Sequence, residues 1–216
     1  MIGSIETTGP PRLLRMDVRA GLITGALFSF NGSFIRRAAR RSSKPGMSRI
    51  EHLAAMTILG VDPGTNVTGY GIVRKNGTAP SHVASGVIRP AKTAGMARRL
   101  WEVHAGLEAV IREHGPTVMV VESLFHKQNP QSLMKLSQVR GVILLVGEAH
   151  GLDIYEYAPM EIKTGITGYG RADKDQMVYM MSRILDLPNL KSADEADALA
   201  MAVYHCHRCS FNRMIS

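Results

Sequence analysis

This sequence of 216 residues has few cysteines and no long apolar run. No run approaches the ~20 apolar residues that a helix needs to cross a bilayer, so no membrane span is predicted. The two cysteines, Cys206 and Cys209, are too few for a disulfide framework and favour a reducing compartment, the cytoplasm. With 45% hydrophobic and 20% charged residues, the chain is expected to fold as a globular protein with one main domain.

Acidic side chains are scarce in residues 1–55. This segment has nine Lys and Arg against three Asp and Glu, a net charge of +6, which leaves +2 of the total of +8 for residues 56–216. We expect residues 1–55 to form a disordered basic extension. Three other interpretations stay open: an arm that binds nucleic acid, an Arg-rich import peptide, or sequence upstream of a true start at Met47 or Met56.

Residues 56–216 alternate between strand-like and helix-like patterns. The apolar run at 117–122 is typical of an interior strand covered on both faces, and the second and third strands are expected to form an antiparallel meander. This order predicts an α/β fold with a mixed sheet flanked by helices. The predicted strands are 57–62, 68–74, 82–89, 117–122 and 152–157; the predicted helices are 94–114, 131–150, 174–185 and 193–205, with a glycine-rich loop before the third.

Two of the predicted strands end in a carboxylate. Asp62 follows Ile-Leu-Gly-Val, and Glu122 follows Val-Met-Val-Val. If these strands are neighbours in one sheet, both acids project from the same edge. Asp62 also has a simpler interpretation, because Pro63-Gly64 is a strong turn signal and an Asp beside such a turn can accept hydrogen bonds from backbone amides.

A second pair of acids begins the last predicted helix. Asp194 and Asp197 share one helical face with Ala198 and Met201, whereas Glu195 points away from it. We therefore expect the pair to face the core. Helix capping and the helix dipole provide an alternative explanation, which fits Asp194 better than the deeper Asp197.

Four converging carboxylates, Asp62, Glu122, Asp194 and Asp197, would repel one another unless cations neutralise them. Oxygen ligands suit Mg²⁺, with Mn²⁺ as a substitute, better than zinc. Two such ions about 3.5–4 Å apart can activate water and stabilise the leaving oxygen of a phosphodiester. The constellation therefore predicts a nuclease that uses two metal ions per active site.

The stretch from His205 to Cys209 also contains residue types that bind metals. A structural zinc site needs a second pair of ligands, and the sequence offers none with suitable spacing. We therefore do not predict zinc there.

Four spaced motifs occur in order at residues 58–71, 121–125, 133–141 and 193–207. In these motifs the body of the chain resembles the RuvC-type Holliday junction resolvases. The resemblance extends over nearly all of residues 56–207 and does not reach residues 1–55. It implies a ribonuclease-H-like fold with five strands, a nuclease domain at 56–208, a short tail at 209–216, and a homodimer. It also implies paired, symmetric, Mg²⁺-dependent nicks in four-way DNA junctions during recombination and repair.

The resemblance assigns roles to particular residues as well. The metal ligands would be the same four acids, and Phe125 would stack on an unpaired base. Without the resemblance, Phe125 would be interpreted as an ordinary core residue. Lys163, Arg171 and Lys174, on or beside the glycine-rich loop, would contact DNA, although surface charges usually only face water. The implied partners are junction DNA and the RuvA–RuvB branch-migration complex, and the implied location is the nucleoid.

Three competing functions stay open at this point. Actin-like phosphotransferases also open with a strand, an Asp-x-Gly-Thr turn and a second strand, but they need a second domain for which this chain is too short. A nuclease of the same fold that acts on ribosomal RNA precursors would lack the Phe125 loop. The third alternative is a junction-binding module without catalysis. Its four carboxylates would repel the DNA phosphates beside them, which argues against it.

Overall fold

The computed structural model describes residues 55–76, 79–123 and 129–214. The predicted basic extension and the alternative start at Met47 lie outside these ranges, and so does Phe125. Among the helices of the described ranges, none is both long enough and apolar enough to cross a membrane.

A mixed sheet of five strands forms the centre of the fold and has the order β3-β2-β1-β4-β5. Strands β1, β2 and β3 form an antiparallel meander, whereas β4 runs parallel to both β1 and β5. The predicted mixed sheet and meander are therefore confirmed. The strands are β1 (Ala55–Asp62), β2 (Thr68–Asn76), β3 (Ala79–Ile88), β4 (Val118–Glu122) and β5 (Asp153–Tyr157).

Helices cover both faces of the sheet. Helices α1 (Met96–His114) and α2 (Pro130–Ala149) pack on one face, and α3 (Pro159–Thr167), α4 (Lys174–Ile184) and α5 (Ala193–Met214) pack on the other. Side chains alternate along each strand, so neighbouring residues enter different cores. Ile58 and Val120 pack with α5, whereas Leu59 and Val121 pack with α1 and α2.

Two glycines allow α5 to lie directly on the sheet. A Cβ at Gly60 would be 2.0 Å from the carbonyl oxygen of Ala198, and a Cβ at Gly69 would be 2.0 Å from that of Asp194. Because both clashes are with backbone, a side chain at either position would push the helix away. The absence of these two side chains sets the distance of α5 from β1 and β2.

The helices differ from the sequence predictions in two places. Residues 159–167, predicted as part of a loop, form α3, which begins at Pro159 and is followed by Gly168 in the left-handed conformation (φ 74°). Pro in the first turn of a helix and Gly just after its last residue are the usual signals of a helix start and end. Pro159 and Gly168 were thus the signals from which this helix could have been predicted. Helix α5 continues past its predicted end at His205 to Met214, so most of the predicted tail is helical.

Candidate active site

The strand ends bring Asp62 and Glu122 together. Strands β1 and β4 are parallel neighbours in which Val61 pairs with Val121, so the next residue of each strand lies at the same edge of the sheet. Both acids also continue the alternation that directs Ile58 and Val120 toward α5. The edge and the face that the two carboxylates share thus follow from strand register.

Helix α5 brings the second pair of acids to this edge. Ser192, rather than either Asp, caps the helix: its carbonyl accepts a hydrogen bond from Ala196 N at 3.0 Å, and its hydroxyl accepts one from Glu195 N at 3.4 Å. The capping explanation for Asp194 is therefore wrong, although Asp194 does lie in the first turn, where an acid meets the positive end of the helix dipole. The charges of Asp194 and Asp197 act on Asp62, as described below.

A pocket of about 150 Å³ lies where these elements meet. Asp62, Glu122 and Asp197 line it together with Lys163 from α3, whereas Asp194 is not among the lining residues. A larger open groove of about 430 Å³, beside Tyr169 and Tyr179, contains none of the four acids. The apolar wall of the smaller pocket consists of Pro159, Ile162, Met177, Ala200 and Met201.

The carboxylates in this pocket hold their protons unusually tightly. Burial, reinforced by the negative charges of Asp197, Glu122 and Asp194, raises the pKa of Asp62 to about 8. Burial and the charge of Asp197 raise the pKa of Glu122, and burial raises that of Asp197 as well. A site that disfavours ionised acids in this way is one that a cation would stabilise.

Two lysines oppose this effect. The ammonium of Lys163 lowers the pKa of Glu122 and Asp197, and that of Lys174 lowers the pKa of Asp62 and Asp197, although in each case burial has the larger, opposite influence. Lys163 Nζ donates a hydrogen bond to Ala172 O at 2.9 Å, which holds the partly buried side chain in place. Lys163 therefore lines the acidic pocket, whereas Lys174 acts on two of its acids through its charge.

The turn after Asp62 is held from two sides. The buried hydroxyl of Thr68 donates a hydrogen bond to Gly64 O at 3.0 Å. From α1, Arg99 donates to Thr65 O and, at 2.6 Å, to Asn66 Oδ1. The sequence prediction did not include these two residues, because nothing in their spacing shows that their side chains reach the turn.

Other predicted residues lie outside this cluster. Arg171 is exposed on the loop before α4, and Phe125 lies outside the described residues. The charge of Glu195 adds to burial in raising the pKa of Tyr70, on β2, whereas it is not among the charges that shift the pKa of Asp62, Glu122 or Asp197.

His205 has hydrogen-bond partners for both ring nitrogens. Nδ1 is 2.8 Å from the hydroxyl of Tyr157, and Nε2 is 3.3 Å from Sγ of Cys209. Burial, with the nearby charges of Lys75 and Arg208, lowers the pKa of His205 to about 4. This histidine is therefore a buried structural group of α5.

The donor set of the pocket fits a hard divalent cation. Asp62, Glu122 and Asp197, which line it, all supply oxygen, and their raised pKa values reflect buried carboxyl groups that Lys163 and Lys174 compensate only in part. In the described part of the chain, no three Asp, Glu, His or Cys side chains already stand in a chelating arrangement. Coordination of an ion would therefore require the carboxylates to rotate toward it.

Comparison with known proteins finds a family that this chain matches. Residues 58–205 match the family model described as crossover junction endodeoxyribonuclease RuvC. The protein of that name from Geobacter sulfurreducens is 42% identical over 152 residues, which cover 70% of this chain and 93% of the relative.

Solved structures agree with the sequence match. The structure of Thermus thermophilus RuvC has a TM-score of 0.66 at 26% identity and covers 73% of this chain and 97% of its own. T. thermophilus RuvC in complex with its Holliday junction substrate has a TM-score of 0.68 at the same identity, with 73% and 96% covered. The predicted ribonuclease-H-like fold is confirmed, and this chain belongs to the RuvC family of crossover junction endodeoxyribonucleases.

Proposed function

We propose that the protein is a structure-selective endodeoxyribonuclease that resolves four-way DNA junctions by paired, symmetric nicks in recombination and repair. The observation that carries the proposal is a pocket that Asp62, Glu122 and Asp197, from β1, β4 and α5, line together with Lys163. The charge of Asp194 also acts on Asp62. Membership of the RuvC family supports the substrate class.

The four acids, Asp62, Glu122, Asp194 and Asp197, are the proposed divalent-metal ligands. Mg²⁺ or Mn²⁺ ions, two per active site, would supply an activated water and charge stabilisation at the leaving oxygen of the scissile phosphodiester. The chain's own contribution is to hold the carboxylates at one edge, to exclude bulk water with the apolar wall, and to present positive charge to DNA.

Lys163 and Lys174 are proposed to bind the phosphate backbone on either side of the pocket. Lys163 is half-buried and tied to Ala172, so its ammonium can be aimed at a phosphate with little loss of conformational entropy. Lys174 and Arg171 are exposed and better suited to general electrostatic attraction. Phe125 is proposed to stack on an unpaired base at the crossover.

A four-way junction has two equivalent scissile positions, so paired nicks require two active sites in one complex. We propose a homodimer for this reason. Cooperation with the RuvA–RuvB branch-migration complex, a cytoplasmic location and association with the nucleoid remain expectations from the family resemblance.

The direct test incubates the full chain with a mobile synthetic four-way junction and Mg²⁺. We expect symmetric nicks in two opposing strands, and linear duplex cut as readily as the junction would contradict the proposal. Glu122→Gln is expected to abolish nicking and to retain junction binding, because one metal ligand is lost while the DNA-binding lysines remain.

A matched control separates the pocket from acidity in general. Glu195→Gln removes an acid from the same helix turn as Asp194, but the charge of Glu195 is not among those that shift the pKa of Asp62, Glu122 or Asp197. This variant is expected to nick at nearly the wild-type rate. Junction binding without any nicking by wild-type protein over a range of Mg²⁺ and Mn²⁺ concentrations would favour a non-catalytic binding module.

A further inference from the structure

The main chain of Glu122 is held from the face of the sheet opposite the pocket. Arg140 lies on α2, whose apolar side chains pack in the core shared with α1. Its Nε donates a hydrogen bond to the carbonyl oxygen of Glu122 at 3.2 Å. Because the guanidinium approaches from the α2 side, it contacts the backbone of this residue, whereas the carboxylate belongs to the α5 side.

The guanidinium also has a second fixed partner. Arg140 Nη2 forms an ion pair with Glu156 Oε2 on β5, the strand that neighbours β4. The arginine side chain is only 13% exposed, so water competes weakly for its donors. The planar guanidinium of Arg140 therefore connects three elements: the helix that carries Arg140, the end of β4, and β5.

The end of β4 is where such a connection matters for the pocket. Glu122 is the last residue of the strand, and the next residue, Ser123, continues the pairing with β5 through Ser123 N to Tyr157 O at 2.9 Å and its hydroxyl to the same oxygen at 3.1 Å. A strand end with free carbonyls would fray. These contacts hold the main chain on the carboxyl side of Glu122, and with it the Cα from which the side chain enters the pocket.

We propose that Arg140 is a positioning residue for metal binding: it holds the backbone of Glu122 in place, so that the carboxylate stays within reach of an ion in the pocket. The inference rests on the proposed metal-dependent function. Arg140 acts through Glu122 and does not itself touch the metal or the DNA. Partners that orient ligands in this way commonly contribute about 10- to 100-fold to metal affinity.

The test measures Mn²⁺ binding by calorimetry in the full-length protein without DNA. Arg140→Met removes every donor and keeps a side chain of similar length. We expect its Mn²⁺ dissociation constant to rise by about tenfold. The control is Arg112→Met, which removes an exposed helix arginine that is likewise paired with a glutamate, Glu108, and is expected to bind Mn²⁺ as wild type does.

A double-mutant cycle with Glu122→Gln identifies the route of the effect. If Arg140 acts through Glu122, Arg140→Met weakens Mn²⁺ binding much less in the Glu122→Gln background than in wild type. Equal weakening in both backgrounds would overturn the proposal, and so would wild-type Mn²⁺ affinity in Arg140→Met. A purely structural role predicts a lower melting temperature with unchanged metal affinity in the folded protein.

A second variant covers a failure of Arg140→Met to fold. Arg140→Lys keeps the charge but replaces the planar fork with a single ammonium, which cannot hold the carbonyl and the carboxylate in the same geometry. A weakening of Mn²⁺ binding by about threefold or more supports the proposal, whereas unchanged affinity overturns it.

Junction nicking separates this proposal from the proposed function. Wild-type protein that binds Mn²⁺ but never nicks a junction contradicts the function and leaves the role of Arg140 in metal binding intact. Wild-type protein that nicks, together with an Arg140→Met variant whose Mn²⁺ affinity is unchanged, contradicts only the role of Arg140.

Discussion

Asp62→Asn should stabilise the metal-free protein while abolishing its activity, and the stabilisation should grow with pH. Asn has nearly the same shape as Asp, so the turn after β1 is kept and only the ionisable group is removed. In the folded protein, burial and the neighbouring acids raise the pKa of Asp62 from 3.8 to about 8. The unfolded chain has neither influence, so its Asp62 ionises at an ordinary pH.

The size and sign of the effect follow from linkage. A carboxyl group with a raised folded-state pKa binds its proton more tightly in the folded state, so stability falls as the pH rises from the unfolded pKa to the folded one. At about 1.4 kcal/mol per pKa unit, the raised pKa of Asp62 lowers the free energy of unfolding by about 2 kcal/mol near pH 5 and by about 5 kcal/mol near pH 8, because the unfolded chain releases the proton more easily. The stability difference between Asp62→Asn and wild type should therefore grow by about 3 kcal/mol over this range.

The assay is urea unfolding of both proteins in EDTA near pH 5 and near pH 8. An exposed acid on α2 provides the control, since Glu148→Gln should change stability by no more than about 0.5 kcal/mol at either pH. Adding Mn²⁺ near pH 8 should stabilise wild type and narrow its gap to the variant, because the ion binds only the folded state. A stability difference that is the same at both pH values would refute the assignment of Asp62 to a buried acidic cluster.

Three further substitutions test the surroundings of the pocket. Thr68→Val should lower the free energy of unfolding by about 1–2 kcal/mol through loss of the hydrogen bond to Gly64 O, and Thr68→Ser should restore most of it in urea titrations; equal losses in both variants would argue against that bond. Gly69→Ala should lower the free energy of unfolding by about 3 kcal/mol and also reduce nicking, since its Cβ would lie 2.0 Å from Asp194 O. Nicking at the wild-type rate would mean that α5 can shift without consequence for the site. Lys174→Met should reduce the slope of log junction affinity against log salt by about 1, and an unchanged slope would remove this lysine from the DNA contacts.

Much of the fold was predictable because its signals are local. Apolar runs and two-residue alternation identified all five strands, and helical periodicity identified four helices. The missed helix, α3, has nine residues, and only Pro159 and Gly168 mark its ends, so the glycine-rich stretch that follows made it look like part of a loop. The extent of α5 was also missed, because no Gly or Pro after His205 marks an end.

The contacts around the candidate site were less predictable. Thr68, Arg99 and Arg140 each bind a backbone carbonyl of a residue on another element or in a neighbouring turn. No sequence pattern requires a particular arginine of an amphipathic helix to reach a particular strand end. Such partners are decided by side-chain direction after the helices have packed.

The sequence by itself determined which acids stand at the ends of elements: Asp62 and Glu122 after apolar strands, and Asp194 and Asp197 on the packing face of the last helix. Only the tertiary structure decided that β1 and β4 are parallel neighbours, and that two glycines let α5 approach the sheet closely. The physical reason is that pairing between distant segments depends on the burial of whole faces, which local periodicity does not encode. Proximity and burial together, and not residue type, raise the pKa of Asp62 to about 8.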